Sequence, residues 1–329
     1  MASILSLGRR AAKILLAVLL VGSCASVQGN DMVGYVPAGG IQPRKEARIS
    51  MEKERLKISL NQVNVEYEFL NLADQDITIE VAFPYPPYTY SEDWRGSYPS
   101  FQDFRVWADG REVKYQTAVR AELDHTDYSG LLRGLGIDIA RFGNFDAGAE
   151  VNNSQLAELP KAAKENLTRL GLIDPDGSPM WEVHIICYWK QLFPAHKTLH
   201  VRHEYSPGVG TRSAAQFSTQ SAQPEDLVGE ACMESHEGVT PAGRITHTAE
   251  NPQLVTYILK SANTWKTPIK DFEVIVERPE VPGAGKTYVS FCWDGKVQPL
   301  DKDHFVARKA DFVPTQDLNV WYLGADSYH

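Results

Sequence analysis

The chain has 329 residues, long enough to bury one large core or two that pack together. Hydrophobic residues make up 43% and charged ones 23%, the balance of an ordinary folded protein and not of a disordered or low-complexity one. A formal net charge of -9 opposes any electrostatic grip on phosphate backbones, so nucleic acid is not an expected partner.

Residues 1–29 read as a signal peptide. Arg9, Arg10 and Lys13 precede an apolar run from Ile14 to Val21 that is far short of a membrane span, and small residues follow. Val27 and Gly29 suit a cut that leaves Asn30 first, which predicts an exported protein of the periplasm or cell envelope. A competing reading takes Val21-Gly-Ser-Cys24 as a lipobox, with a lipid anchor on Cys24. No later stretch is apolar enough to form a transmembrane segment.

Three cysteines remain beyond that leader, Cys187, Cys232 and Cys292, which allows one disulfide and one free thiol in an oxidising compartment. Cys187 lies in the apolar run from Trp181 to Trp189 and reads as core packing, leaving Cys232 with Cys292 as the natural pair. Closing a loop of that length stabilises by about 4 kcal/mol in the chain-entropy view.

In chain order, 33–45 is a Gly- and Pro-rich lead-in, and 49–60 gains strand character towards its end. Val63, Val65, Tyr67 and Phe69, then Ile77, Ile79, Val81 and Phe83, alternate with polar residues, which predicts two half-buried strands. Asn71 to Asp76 between them suits a turn, so the pair is expected as a hairpin ended by Pro84. Residues 84–99 hold too many prolines for a ladder and read as a long aromatic loop. Asp109-Gly110 predicts a second hairpin joining 104–107 to 113–119. The period then changes to that of helices over 128–141 and 160–170, with Pro160 in a first turn and Gly171 past a last one.

Strand pattern returns over 181–192 and 199–205, joined by a turn at 193–197. A polar connection over 210–243 leads to strands near 254–259, 271–277, 288–292, 304–308 and 318–323. The expected fold is mainly β, antiparallel β-sandwiches with a small two-helix insertion. Its expected units are a sandwich over 30–209 with the helical insertion near 128–171, the connection 210–243, and a strand-rich half over 244–329.

The stretch 58–84, then Trp181, Tyr188-Trp-Lys-Gln-Leu-Phe-Pro194, His203-Glu-Tyr-Ser-Pro207, 257–265, Ile269-Lys-Asp-Phe272, Ser290-Phe-Cys292 and Pro314-Thr-Gln-Asp-Leu318 together resemble the bacterial exported family called domain of unknown function 4424. The resemblance covers nearly all of the chain beyond the leader. It implies an envelope location and carries cysteines near Cys232 and at Cys292, but supplies no activity and no catalytic residues. The chain departs from the family pattern in its aromatic loop and in Cys187.

Candidate chemistry is sparse. His196, His200 and His203 form the densest metal-ligand cluster, but His200 and His203 face opposite sides of a strand, and His203 falls on the apolar face as a satisfied core histidine. Asp127, with Thr126, suits a helix cap better than an acid/base pair, and Asp174-Pro-Asp-Gly177 reads as a turn. Ser235-His236-Glu237 has no nucleophile elbow around it, and 282–286 lacks phosphate-loop spacing. No motif calls for a cofactor. Tyr85, Tyr88, Tyr90, Trp94 and Tyr98 of the aromatic loop form the candidate ligand surface, against the simpler reading of rings folded over a sheet edge. The residues therefore favour a non-enzymatic module that binds an envelope protein or glycan through its loops. The alternative is a hydrolase of envelope polymers with His and Asp residues assembled from distant strands.

Overall fold

A computed structural model describes residues 30–35, 42–89, 103–141, 155–211, 232, 253–279 and 288–323. In chain order the first half contains β1 (Met32–Tyr35), β2 (Gln42–Pro43), β3 (Ile49–Ile58), β4 (Val63–Asn71), β5 (Ile77–Pro84), β6 (Tyr88–Thr89), β7 (Arg105–Ala108), β8 (Arg111–Glu112), β9 (Gln116–Leu123) and β10 (Thr126–Asp127). Helices α1 (Ser129–Gly134) and α2 (Lys161–Arg169) follow, then β11 (Glu182–Phe193), β12 (Thr198–Tyr205) and β13 (Val209–Thr211). The last part holds β14 (Gln253–Tyr257), a 3-10 turn (Lys260–Thr264), β15 (Ile269–Glu277), β16 (Tyr288–Phe291), β17 (Val297–Pro299), β18 (His304–Phe312) and β19 (Leu318–Leu323).

The strands make three sheets, ordered β10-β9-β11-β5-β1-β2 with β6 beside β11, then β17-β18-β15-β3-β4-β12-β7-β8, then β13-β14-β19-β16. Pairing is antiparallel except between β3 and β15. That parallel pair hydrogen-bonds the segment before residue 209 to the segment after 253 within one sheet. The first two sheets pack face to face, and Phe83 of β5 meets Tyr205 and His203 of β12 at ring separations of 5.2 Å. Each fully buried ring or branched side chain there contributes about 1.5–3 kcal/mol.

The expected central hairpin is not one. β4 pairs with β3 and β12, whereas β5 pairs with β1 and β11, so residues 72–76 carry the chain from one sheet to the other. Residues 194–197 do the same between β11 and β12. Alternation reports which side chains are buried, and it is identical for two strands of one sheet and for two strands facing each other across a sandwich. The turn residues instead bind the two arches together. Asn71 Nδ2 donates to Phe193 O at 2.8 Å, the Ala195 amide donates to Asp76 Oδ1 at 2.8 Å, and His196 lies 3.0 Å from Asp74.

Asp109-Gly110 does form the second hairpin, with left-handed φ of 47° and 76° that only a primed turn requires. Its returning strand lasts only through β8, after which β9 crosses to pair with β11 in the first sheet. The helices stand where the period changes. The Ser129 amide donates to Asp127 Oδ1 at 2.8 Å. Gly171 has φ 73°, and the Leu172 amide returns to Leu167 O at 2.9 Å in a Schellman closure. Cys232 and Cys292 are bonded, with Cα atoms 5.1 Å apart, and Cys187 is free and buried.

Candidate functional site

A slip in the apolar phase of β3 decides what lies at the centre of the sandwich. Ile49 and Met51 face inward on odd numbers, but a bulge between Met51 and Lys53 shifts the register, so Glu54, Leu56 and Ile58 face inward on even ones. Glu54 thereby stands opposite Tyr67 of β4, and Val65 stands opposite His203 of β12. All three polar side chains are buried.

Asn30 and Asp31, just ahead of β1, enter the same space and are wholly buried. Asn30 Nδ2 donates to Glu54 at 2.8 Å, and the Asn30 backbone amide donates to Ser261 Oγ. Ser261 Oγ donates in turn to Asn30 O at 2.8 Å, and Trp265 Nε1 donates to Asp31 O at 2.6 Å. Tyr257 OH donates to Glu54 at 3.2 Å and lies 2.9 Å from Tyr67 OH. Every donor to the Glu54 carboxyl is therefore neutral, and burial pushes its pKa up to about 8. Asp31 is in a harsher place. Neither carboxyl oxygen has a hydrogen-bond donor, and burial, followed by the nearby Glu54, raises its pKa well above the usual carboxylate range.

His203 completes the cluster. Its ring is boxed by Tyr67, Phe83, Phe104 and Trp189 at centroid distances of 5.2–5.4 Å. It is a core histidine, as its strand phase predicts, but not a satisfied one, because neither ring nitrogen makes a hydrogen bond. Nε2 lies 3.5 Å from Asp31 Oδ1, the spacing of an ion pair. Burial nevertheless pushes the imidazole pKa down to about 3 and that of Asp31 up, so the pair is held as a neutral acid beside a neutral ring. Acid and imidazole in contact are the raw material of general acid/base chemistry. Asp31, Glu54, His203 and Tyr257 are buried and line neither the groove around Trp107 nor the depressions beside Tyr115 and Trp293.

The outward face of the same strands is open. Between β3, β4, β12 and the β7–β8 turn lies a groove of about 330 Å³ around Trp107, flanked by Lys53, Glu66, Glu68, His200 and Arg202. The Arg202 guanidinium carbon lies 3.8 Å from the centre of the indole ring, with that of Arg105 at 4.9 Å, and Arg202 also pairs with Glu204 at 3.6 Å. A cation held over an indole face in this way is restrained in position. Lys53 pairs with Glu68 at 2.7 Å, and farther along the face Arg55 and Arg308 share Glu273.

The residues singled out from the sequence are dispersed. Tyr85 is buried, its ring edge-on to Phe83 and Tyr205 at 5.7 and 5.2 Å, so it belongs to the core and not to a ligand surface. Proline-stiffened chain brought it back over the β5 end, where apolar ring burial outweighs leaving its hydroxyl without a partner. Tyr88 is half-buried and pairs with Val183 at the edge of β11, and Tyr90, Trp94 and Tyr98 lie outside the described residues. His196 is in an arch, His200 on the wet face and His203 in the core, so no two of them share a point. Among the described residues no three His, Cys, Asp or Glu side chains gather to hold a metal ion. Ser235-His236-Glu237 and 282–286 lie outside the described residues. Burial pushes the Cys187 thiol up to about 12, which makes it inert.

Sequence reasoning passed over Asn30, Asp31, Glu54, Trp107 and Arg202. For Glu54 a signal existed, because apolar residues on odd numbers up to Met51 and on even ones from Leu56 announce a bulge. For Asn30 and Asp31, two polar residues beside a Gly- and Pro-rich stretch, there was none.

Fold and site define a disulfide-bonded, mainly antiparallel β protein with a sealed polar cluster on one face of its largest sheet and a charged groove on the other. The chain belongs to the family described as Domain of unknown function (DUF4424), whose profile matches residues 29–321. No curated protein matches it. A solved structure similar to it, from Legionella pneumophila subsp. pneumophila str. Philadelphia 1, is described as a "putative nutrient binding protein". The two are 14% identical, the alignment covers 90% of this chain and 70% of that one, and the TM-score is 0.41. Likeness of that size assigns neither fold nor ligand to this chain. Among the described residues no helix is long and apolar enough to cross a membrane.

Proposed function

We propose that the protein is an exported, non-catalytic binding module of the cell envelope, and that its recognition surface is the groove around Trp107. The observation that carries this reading is the guanidinium of Arg202 held 3.8 Å over an indole in an open groove. Arg202, paired with Glu204 through one nitrogen, has further N–H donors to offer a carboxylate, the half-exposed indole suits the apolar face of a sugar, and the exposed Glu66 suits an amine. A glycan that carries both carboxylates and amines, as a peptide-substituted wall polymer does, matches that set. The leader over 1–29 and the disulfide support export.

Soluble wall fragments titrated into the purified protein test the reading by calorimetry. Trp107→Ala and Arg202→Ser are each expected to weaken binding at least about tenfold, the loss of one charge-assisted contact or one stacked ring. Unchanged affinity in both variants would remove the groove. The hydrolase alternative needs the Asp31–His203 pair to meet a substrate, and turnover of the same fragments that vanishes in a folded His203→Phe variant would favour it over binding alone.

A further inference from the structure

Asn30 is where two independent lines meet. The sequence puts a leader cut between Gly29 and Asn30, and the fold puts Asn30 wholly inside the core against a carboxyl that no Lys or Arg among the described residues approaches. We infer that leader removal creates a buried α-ammonium on Asn30 that pairs with Glu54, so that processing completes the core. The inference rests on the export part of the proposed function and adds a structural consequence to it.

The surroundings fit an ammonium. The Asn30 nitrogen already donates to Ser261 Oγ, and its own side chain touches Glu54 at 2.8 Å, so the new charge arises on the residue in contact with that carboxyl. An ammonium has three donors and a peptide nitrogen one, so two are gained at the cut. Among the described residues no Lys or Arg reaches Glu54 or Asp31 within ion-pair distance, although Glu52, Glu66 and Glu68 of the same strands have solvent or lysine partners outside. The titratable groups facing the site are Asp31 from the β1 lead-in, Glu54 from β3, Tyr67 from β4, His203 from β12 and Tyr257 from β14. One ammonium against one ionised Glu54 leaves the cluster neutral, with Asp31 keeping its proton beside His203.

The sign of the pH dependence separates the two states. In a chain continued through Asn30, Glu54 is raised from 4.5 to about 8, so its stabilising neutral form is complete below 4.5 and lost as pH rises towards 8. Asp31, also raised, acts in the same direction, and His203 offsets part of it only up to 6.5. With the ammonium present Glu54 ionises at little cost, and the loss is postponed until the amine itself deprotonates, ordinarily near 8.

The test begins with N-terminal sequencing of protein exported by a bacterium with its own leader, which is expected to read Asn30 first. Any other terminus, including an acylated Cys24, overturns the inference at the processing step. Asn30-first protein is then compared with a form carrying one extra glycine on Asn30. The extended form is expected to melt about 5 °C or more lower at pH 7.5, the gap closing towards pH 4.5 and closing or reversing when both carry Glu54→Gln, which leaves the ammonium of the Asn30-first form without its counter-charge. Equal melting across that range with Asn30 first overturns the buried pair and leaves export standing. Should the extended form not fold, amine acylation of the Asn30-first protein decides. The α-amine is expected to react at least tenfold more slowly in the folded protein than in denaturant, and equal rates overturn the inference.

Discussion

On β3, β4 and β12 the outward side chains Lys53, Glu68 and Arg202 and the inward side chains Glu54, Tyr67 and His203 are neighbours on the same strands, one residue apart. Outside, Lys53 and Glu68 form a bridge at 2.7 Å with both side chains about 30% exposed, and water shares their charge. Inside, Glu54 meets only an amide and a phenol, and its pKa rises to about 8. Identical chemistry is cheap on one face and costly on the other, and the costly face is the one whose groups must be explained by a partner. That is why the inner cluster points to a charge supplied by processing and the outer groove to a ligand.

The largest test of this contrast is Glu54→Ala in the mature protein. It is expected to remove about 3 kcal/mol or more in urea unfolding, because it leaves a buried donor set and an ammonium without an acceptor. A loss below about 1 kcal/mol would mean that water reaches the site. His203 gives the next effect. Its folded pKa of about 3 against 6.5 unfolded means that its own contribution to stability is complete above 6.5 and falls by about 1.4 kcal/mol per pH unit as pH drops towards 3, opposed by the raised Asp31. His203→Phe should flatten that acid limb, and an unchanged limb would show that another group carries it. Tyr67→Phe removes the hydroxyl that lies 2.9 Å from Tyr257, and is expected to cost about 1–2 kcal/mol. Glu68→Gln on the outer face should cost under about 1 kcal/mol, shrinking further in salt. A cost for Glu68→Gln equal to that of Glu54→Ala would erase the distinction between the faces.

The strands were legible because half-buried β structure writes itself as alternation, and Val63 to Phe69 and Leu199 to Tyr205 do so without interruption. Their pairing was not, since β4 and β5 are neighbours in the chain yet lie in facing sheets, and inward phase is the same either way. The disulfide followed from elimination among three cysteines, one of them in an apolar run. The inner cluster joins Asn30 to Ser261 and Tyr67 to Tyr257 across most of the chain, and polar residues that meet only through folding leave no local spacing to read. For Tyr85 the two readings, ligand surface or ring folded back over a sheet edge, stood open for a related reason. A tyrosine among prolines looks the same whether its ring faces water or, as here, Phe83 and Tyr205.

The seal on the inner cluster is tested most directly by following the His203 imidazole signals by NMR from pH 7.5 down to 4.5 in the folded protein. Burial among four aromatic rings predicts a ring that stays neutral and shows no titration step over that range. A step with its midpoint near 6.5 would mean that protons and water reach His203 freely, and the division between a closed inner face and an open outer one would be contradicted.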